Sequence, residues 1–179
     1  MLIPYAKQSI DNKDIKNVTK ALKSEFITQG KITEKFEKKI SYYVNSKYAC
    51  VVNSATSGLY LACKILNLNK NDWVWTSCNT FVSTASIIEH ANGNVDLLDI
   101  NEDGNLSIDY LKKKLQKTKK TNLPKAIIAV HIAGLPCDMQ ELYKLKKKYK
   151  FKIIEDASHA LGASLNNKKI GSCNYSDFC

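Results

Sequence analysis

Two acids and an imidazole, Glu155, Asp156 and His159, close a short apolar run built on Phe151, Ile153 and Ile154. Such a run is too short for a helix and reads as a buried strand. In open α/β sheets, ligands lie in the crevice outside the carboxyl ends of the strands. Asp156 and His159 then form a carboxylate and an imidazole projected from one strand end, close enough to share one flat aromatic ligand. The same residues also read as a helix N-cap, Asp156 or Ser158, followed by a surface histidine. Segments elsewhere in the chain bear on the choice.

The first is NSATSG (Asn53–Gly58), which runs from an expected strand, Ala49–Val52, into an expected helix. Small hydroxyl residues at a strand-to-helix turn leave backbone N–H groups free at a helix N-terminus, a ready site for phosphate. The dipole supplies only about 0.3–2 kcal/mol, so the hydrogen bonds must do most of the holding. An ordinary Ser or Thr helix cap is the competing reading. The second segment is SCNTFVST (Ser77–Thr84), where Phe81 opens a helix after the expected strand Trp73–Thr76. Phe81 is either core or a plate lying face-on against a planar ring. A phosphate cradle, an aromatic plate and an Asp/His pair at strand ends describe a site for one flat phosphorylated cofactor, and pyridoxal phosphate fits. Asp156 would pair with its ring nitrogen, so that the ring can act as an electron sink. At about 4 Å an ion pair is worth roughly 1 kcal/mol in water and about 4 at an effective dielectric of 20. Asp156 must therefore be shielded from solvent.

The elements that hold these residues alternate. Expected strands are 49–52, 73–76, 95–98, 126–130 and 152–155; expected helices between them are 56–66, 80–90, 107–117 and 138–149. Two further helices precede them. Residues 13–24 place Ile15, Val18 and Leu22 on one face behind an Asp11 or Asn12 cap, and a helix after Thr33 is expected to bury Phe36, Ile40 and Val44. The last helix opens with Asp138 and Glu141 in capping-box spacing. Alternating strands and helices imply an α/β fold, a mostly parallel sheet with helices on both faces.

Composition narrows the classes. The net charge of +10 rests on 27 basic residues, every one a lysine. Without arginine, specific base recognition loses its usual reader, and the runs Lys112–Lys120 and Lys144–Lys152 read as solvated helix faces, not a nucleic-acid surface. No apolar run is long enough to span a bilayer, and the first residues lack a secretory signal, which points to a cytoplasmic protein without membrane attachment. The six cysteines hold no CxxC pair and read as free thiols; Cys50 and Cys63 are expected in a strand and a helix. No metal site is expected. Neither GxGxxG nor GxxxxGK[ST] occurs, which removes the usual fingerprints of dinucleotide binding and nucleotide hydrolysis.

Five segments in one order, TQG (Thr28–Gly30), NSATS (Asn53–Ser57), TFV (Thr80–Val82), VHIAGLPCDM (Val130–Met139) and EDASHALGA (Glu155–Ala163), resemble the DegT-like sugar-nucleotide aminotransferases of pyridoxal-phosphate fold type I. YAKQSI, WVWTSCNTFV and KKIGSCNYSDF bring the chain nearest to members of pseudaminic acid biosynthesis. These aminate C4 of a UDP-linked 4-keto-6-deoxy-N-acetylhexosamine with glutamate as donor. The resemblance implies that Thr56 and Ser57 hold the cofactor phosphate, Phe81 stacks on the ring, Asp156 binds N1 and His159 the 3′-oxygen. It implies that Tyr5, Phe26, Ile27, Thr28 and Ala55 line the sugar-nucleotide site. Cys78 stands where this subgroup often has proline, which bears on the local loop.

The resemblance further implies an N-terminal arm (1–12) and an incomplete large cofactor-binding domain (13–179), with the small C-terminal domain absent and a homodimer at full length. The family's Schiff-base lysine falls in an FSFxxxK segment beyond Cys179, so no catalytic residue is expected within the chain, and the chain alone is not expected to transaminate. Lys168 and Lys169, in the Asn-rich turn NNKKIG, have no reason to reach the ring. Two alternatives accompany this reading: a sugar 3-dehydratase of the same family, with histidine at the lysine position, and a non-catalytic partner of a full-length paralogue.

Overall fold

Four segments rich in Val, Ile and Trp become strands: β1 (Trp73–Ser77), β2 (Asn94–Leu98), β3 (Pro124–Val130) and β4 (Lys152–Asp156). The structure is a computed structural model that describes residues 7–28 and 30–179. Every pairing in the four-stranded sheet is parallel, in the order β2-β1-β3-β4. Parallel neighbours need crossovers. Helices α4 (Val82–His90), α5 (Ile108–Lys117) and α6 (Met139–Tyr149) supply them, while α3 (Ala55–Ile65) precedes β1.

Alternation along the strands divides the core between two faces. Trp75, Ile127 and Ile153 pack with Leu111 and Leu115 of α5 and Leu142 of α6. Val74, Ala126, Ile128 and Ile154 pack with Leu59 and Cys63 of α3 and with Ile87 and Ile88 of α4. The fold is thus the expected one, a parallel sheet with helices on both faces. Burial pushes the thiols of Cys63 and Cys137 up to about 12, so both behave as small apolar side chains.

Several local expectations fail for identifiable reasons. Residues 49–52 form no strand, because no described strand lies beside them to complete a ladder. The Val51 amide donates instead to Glu37 Oε1 at 2.9 Å, and Cys50 is exposed. Helix α1 (Asn12–Leu22) forms with an Asp11–Asp14 capping box, and its apolar stripe is where the spacing puts it. Yet Ile15, Val18 and Leu22 are exposed, since no described residue covers them. In α2 (Lys31–Val44) only Val44 is buried, and Phe36 remains half exposed. On α6, Asp138 caps the Glu141 amide, but the Glu141 carboxylate pairs with Lys112 of α5 at 3.1 Å. Lys168 and Lys169 form a short strand, β6, paired with β5 (Ser164–Leu165), and Asn166 and Asn167 make the turn with positive φ.

The segment after that hairpin runs along the outer edge of β4, where the Glu155 amide donates to Phe178 O at 2.8 Å. Asp177 fastens it. Its Oδ2 accepts from Lys146 Nζ at 2.6 Å and from the Ile153 amide at 2.9 Å, and its Oδ1 from Lys152 Nζ at 2.9 Å. Burial works to raise this carboxyl, but the Lys146 bond, the Ile153 amide and Lys152 together outweigh it and hold it below the ordinary 3.8. A carboxyl depressed in the folded state contributes stability above its unfolded value and loses it as pH falls through the folded one. Asp177→Asn should therefore cost about 1 kcal/mol near neutral pH, solvent around Lys152 discounting the ion pairs. In urea unfolding across pH, the gap to wild type should close below 3.8. A gap that persists in acid would show that the carboxylate charge is not what holds this edge.

Candidate functional site

The carboxyl ends of β1, β3 and β4 lie side by side at Ser77, Val130 and Asp156. Two helices open at the same rim. Lys125, near the start of β3, donates from Nζ to Asn67 O at 3.0 Å and pairs with Asp72 at 2.8 Å, just before β1. The C-terminal end of α3 therefore sits at the amino ends of the strands. Its N-terminus lies at the other end of this 11-residue helix, about 15 Å away at helical rise, and faces the rim. Helix α4 leaves β1 at the rim and returns through Gly93 to the start of β2. The rim is thus formed by three strand ends and two helix starts, and Ala49–Val52 contributes no strand end.

At the start of α3, Ser54 is the N-cap and accepts from the Ser57 amide at 3.2 Å. The Ser57 hydroxyl donates to Asn53 Oδ1 at 2.7 Å. Among the described residues, the amides of Ala55 and Thr56 and the Thr56 hydroxyl have no partner. A cap and an anion cradle thus coexist here: the Ser54 cap occupies one donor and leaves two first-turn amides open. Phe81 is the N-cap residue of α4 but makes no side-chain cap, and it is 71% exposed, so it is not core.

Asp156 is 7% exposed, which meets the shielding its expected role demands. The Thr84 hydroxyl donates to Oδ2 at 3.0 Å; the Ser158 hydroxyl and amide donate to Oδ1 at 2.6 and 3.3 Å. No helix starts here. Residues 157–163 are turns, so the N-cap reading gives way to an Asx-type turn at the end of a strand. The adjacent Glu155 points to the other face. There it accepts from His131 Nε2 at 2.9 Å and from the Ser176 hydroxyl. Because the Cys137 amide donates to His131 Nδ1 at 3.1 Å, the ring proton resides on Nε2 and points at Glu155.

His159 is exposed in the turn beyond Asp156. Ala55, the first residue of α3, lies at the rim, as does the exposed Cys78, whose amide donates to Leu98 O at 2.8 Å. Phe26, Ile27 and Thr28 are exposed in the loop between α1 and α2, and none of their side chains hydrogen-bonds to the rim. Tyr5 lies outside the described residues. Lys169 donates to Gly162 O at 3.2 Å and Lys168 lies over the Tyr175 ring, so neither is directed at Asp156. Sequence reasoning missed Thr84, His131 and Ser176, and gave Ser158 only as a helix cap. A faint signal existed for two of them. His131 ends the apolar run AIIAV, where a polar side chain must find a partner, and Thr84 lies one helical turn after Phe81.

This arrangement defines an α/β domain whose parallel strands end at one rim, the place where open sheets of this kind bind ligands. The chain belongs to the DegT/DnrJ/EryC1/StrS aminotransferase family, which it matches over residues 8–178. It is 42% identical over 171 residues to the UDP-4-amino-4,6-dideoxy-N-acetyl-beta-L-altrosamine transaminase of Campylobacter jejuni, covering 96% of this chain and 45% of that protein. Among solved structures it superposes on Helicobacter pylori PseC, an aminotransferase involved in the biosynthesis of pseudoaminic acid. The TM-score is 0.85 and the identity 32%, over 94% of this chain and 44% of that one. It also superposes on Spr1654 of Streptococcus pneumoniae, described as a sugar aminotransferase, in its PLP form. There the TM-score is 0.87 and the identity 28%, over 98% of this chain and 48% of that one. The chain thus spans about half the length of the relatives it matches.

The turn that carries His159 rests on a glycine. Gly134 has φ +84°, and a Cβ there would lie 2.8 Å from the carbonyl oxygen of His159. Gly134→Ala should destabilise the chain by about 1–3 kcal/mol, through backbone strain and the displaced turn. Thermal unfolding together with the His159 ring resonances in NMR checks this. Unmoved resonances with an unchanged midpoint would show that the two turns are independent.

Proposed function

We propose that this chain is the cofactor-binding part of a pyridoxal-phosphate-dependent sugar-nucleotide aminotransferase. The whole protein transfers an amino group from glutamate to C4 of a UDP-4-keto-6-deoxy-N-acetylhexosamine. It works in the cytoplasm as a homodimer, with an arm over residues 1–12 and the large domain from residue 13. The observation that carries the reading is a carboxylate shielded to 7% exposure at the rim where an aromatic plate lies 71% open. The names of the relatives supply the substrate class.

The residues fit the cofactor by the chemistry of their donors. Open amides at Ala55 and Thr56, with the Thr56 hydroxyl, suit a phosphate, and the Ser57 hydroxyl joins them by turning away from Asn53 Oδ1. Phe81 offers a face to a flat ring, and Asp156 suits a protonated ring nitrogen. When bound, pyridoxal phosphate supplies an electron sink for carbanion chemistry. This chain's own share is to orient and to hold protons. Asp156 keeps the proton on the ring nitrogen: a charge pair at about 4 Å is worth about 4 kcal/mol at an effective dielectric of 20, against about 1 in water. His159, exposed beside it, takes the 3′-oxygen, and Phe81 excludes water from one face. Phe26, Ile27, Thr28, Ala55 and Tyr5 line the sugar-nucleotide side. No helix among the described residues is long and apolar enough to cross a membrane.

Titrating the purified chain with pyridoxamine 5′-phosphate, which needs no covalent attachment, tests the reading. Binding is expected to saturate. Asp156→Asn should weaken it about tenfold or more, the worth of a hydrogen bond to a charge. Phe81→Ala should weaken it about fivefold, as expected for one lost ring contact. Binding indifferent to both substitutions would defeat the proposal.

A further inference from the structure

Thr84 is fully buried in the first turn of α4, and its hydroxyl makes a long-range bond where helical hydroxyls commonly make a local one. The ordinary partner of such a hydroxyl is the carbonyl four residues earlier. Thr19 bonds Ile15 O at 2.9 Å and Thr118 bonds Lys114 O at 2.7 Å in that way. Thr84 instead reaches 72 residues along the chain to Asp156 Oδ2 at 3.0 Å. Its own amide donates to Phe81 O at 3.0 Å. One residue thus holds the backbone of the aromatic plate and the carboxylate of the acid together.

The carboxylate's acceptor sites sharpen the point. A carboxylate has about four lone-pair sites. On Asp156, among the described residues, Oδ1 receives the Ser158 hydroxyl and amide, and Oδ2 receives only Thr84. The open site is therefore on the oxygen that Thr84 holds.

We propose that Thr84 is the positioning residue of this site: it fixes Asp156 Oδ2 as the acceptor for the ring N–H of the bound cofactor and sets its distance from the Phe81 plate. The proposal rests on the cofactor reading above but assigns a role to a residue that touches no ligand. Removing the hydroxyl leaves Asp156 in place with Oδ1 still held by Ser158 but releases Oδ2, so the loss falls on the ring nitrogen and not on the phosphate.

The experiment compares two ligands, pyridoxamine 5′-phosphate and its deaza analogue, in which a C–H replaces the ring nitrogen. Thr84→Val should weaken the first about tenfold and leave the second unchanged, and Thr84→Ser should restore wild-type binding. With ring-15N ligand, Thr84→Val should move the nitrogen resonance away from its protonated position and Thr84→Ser should not. In an Asp156→Asn background, Thr84→Val should add nothing. If the valine variant does not fold, Thr84→Ala is compared with Thr84→Ser in the same way. Equal weakening of both ligands, or an unshifted resonance, would overturn the proposal and make Thr84 a packing residue. If Asp156→Asn weakens binding and Thr84→Val does not, the positioning role fails while the cofactor reading stands. If the wild-type chain takes up no pyridoxamine 5′-phosphate, the cofactor reading fails and the positioning role falls with it.

Discussion

Two neighbouring carboxylates at the end of one strand, both almost fully buried, constrain this molecule more than any other feature. Glu155 and Asp156 are 4% and 7% exposed. Strand alternation sends them to opposite faces, so neither can be satisfied by the other's partners. A buried carboxylate without hydrogen bonds is costly, by about 1–3 kcal/mol or more for a charged group. Each therefore recruits donors from distant elements. Glu155 takes His131, at the end of β3, and Ser176, from the segment along the β4 edge. Asp156 takes Thr84, from α4, and Ser158, from its own turn. Satisfying the two acids knits β3, β4, α4 and the C-terminal segment into one rim.

The division of labour between the acids follows from their partners. Both oxygens of Glu155 are engaged on the inner side, where His131 is in turn held by the Cys137 amide. That acid is a strut. Among the described residues, Asp156 keeps one acceptor site free at a rim where Phe81 is open and the first α3 amides are unpartnered, so it is the acid with capacity left for a ligand. Two adjacent residues of like chemistry thus separate into support and site by the parity of the strand alone.

Much of this was legible in the sequence, for reasons that vary with the element. β1, β3 and β4 are apolar runs bounded by turn residues, and parallel packing on both faces is what makes such runs necessary. Their ends fixed the location of Asp156 and Phe81 before any coordinates. The apolar stripe of α1 was equally readable, but periodicity reports only that a face exists, not what covers it, and Ile15, Val18 and Leu22 remain exposed. Ala49–Val52 has strand composition and no strand, because a ladder depends on a neighbour and not on composition. Ser176 was invisible, and Thr84 nearly so, for a related reason: their importance lies in partners 21 and 72 residues away, and no local pattern encodes such a pairing. Lys168 and Lys169 lie in a short strand beside the Asn166–Asn167 turn, because the two asparagines take the positive φ that the turn needs.

The account stands on the convergence of the α3 start, Phe81 and Asp156 upon a single ring-shaped ligand. A crystal structure of the chain with pyridoxamine 5′-phosphate tests this most directly. The phosphate should lie on the amides of Ala55 and Thr56, the ring against Phe81, and the ring nitrogen within hydrogen-bond distance of Asp156 Oδ2. A ligand seated elsewhere, or one at the rim whose nitrogen faces away from Asp156, would contradict it.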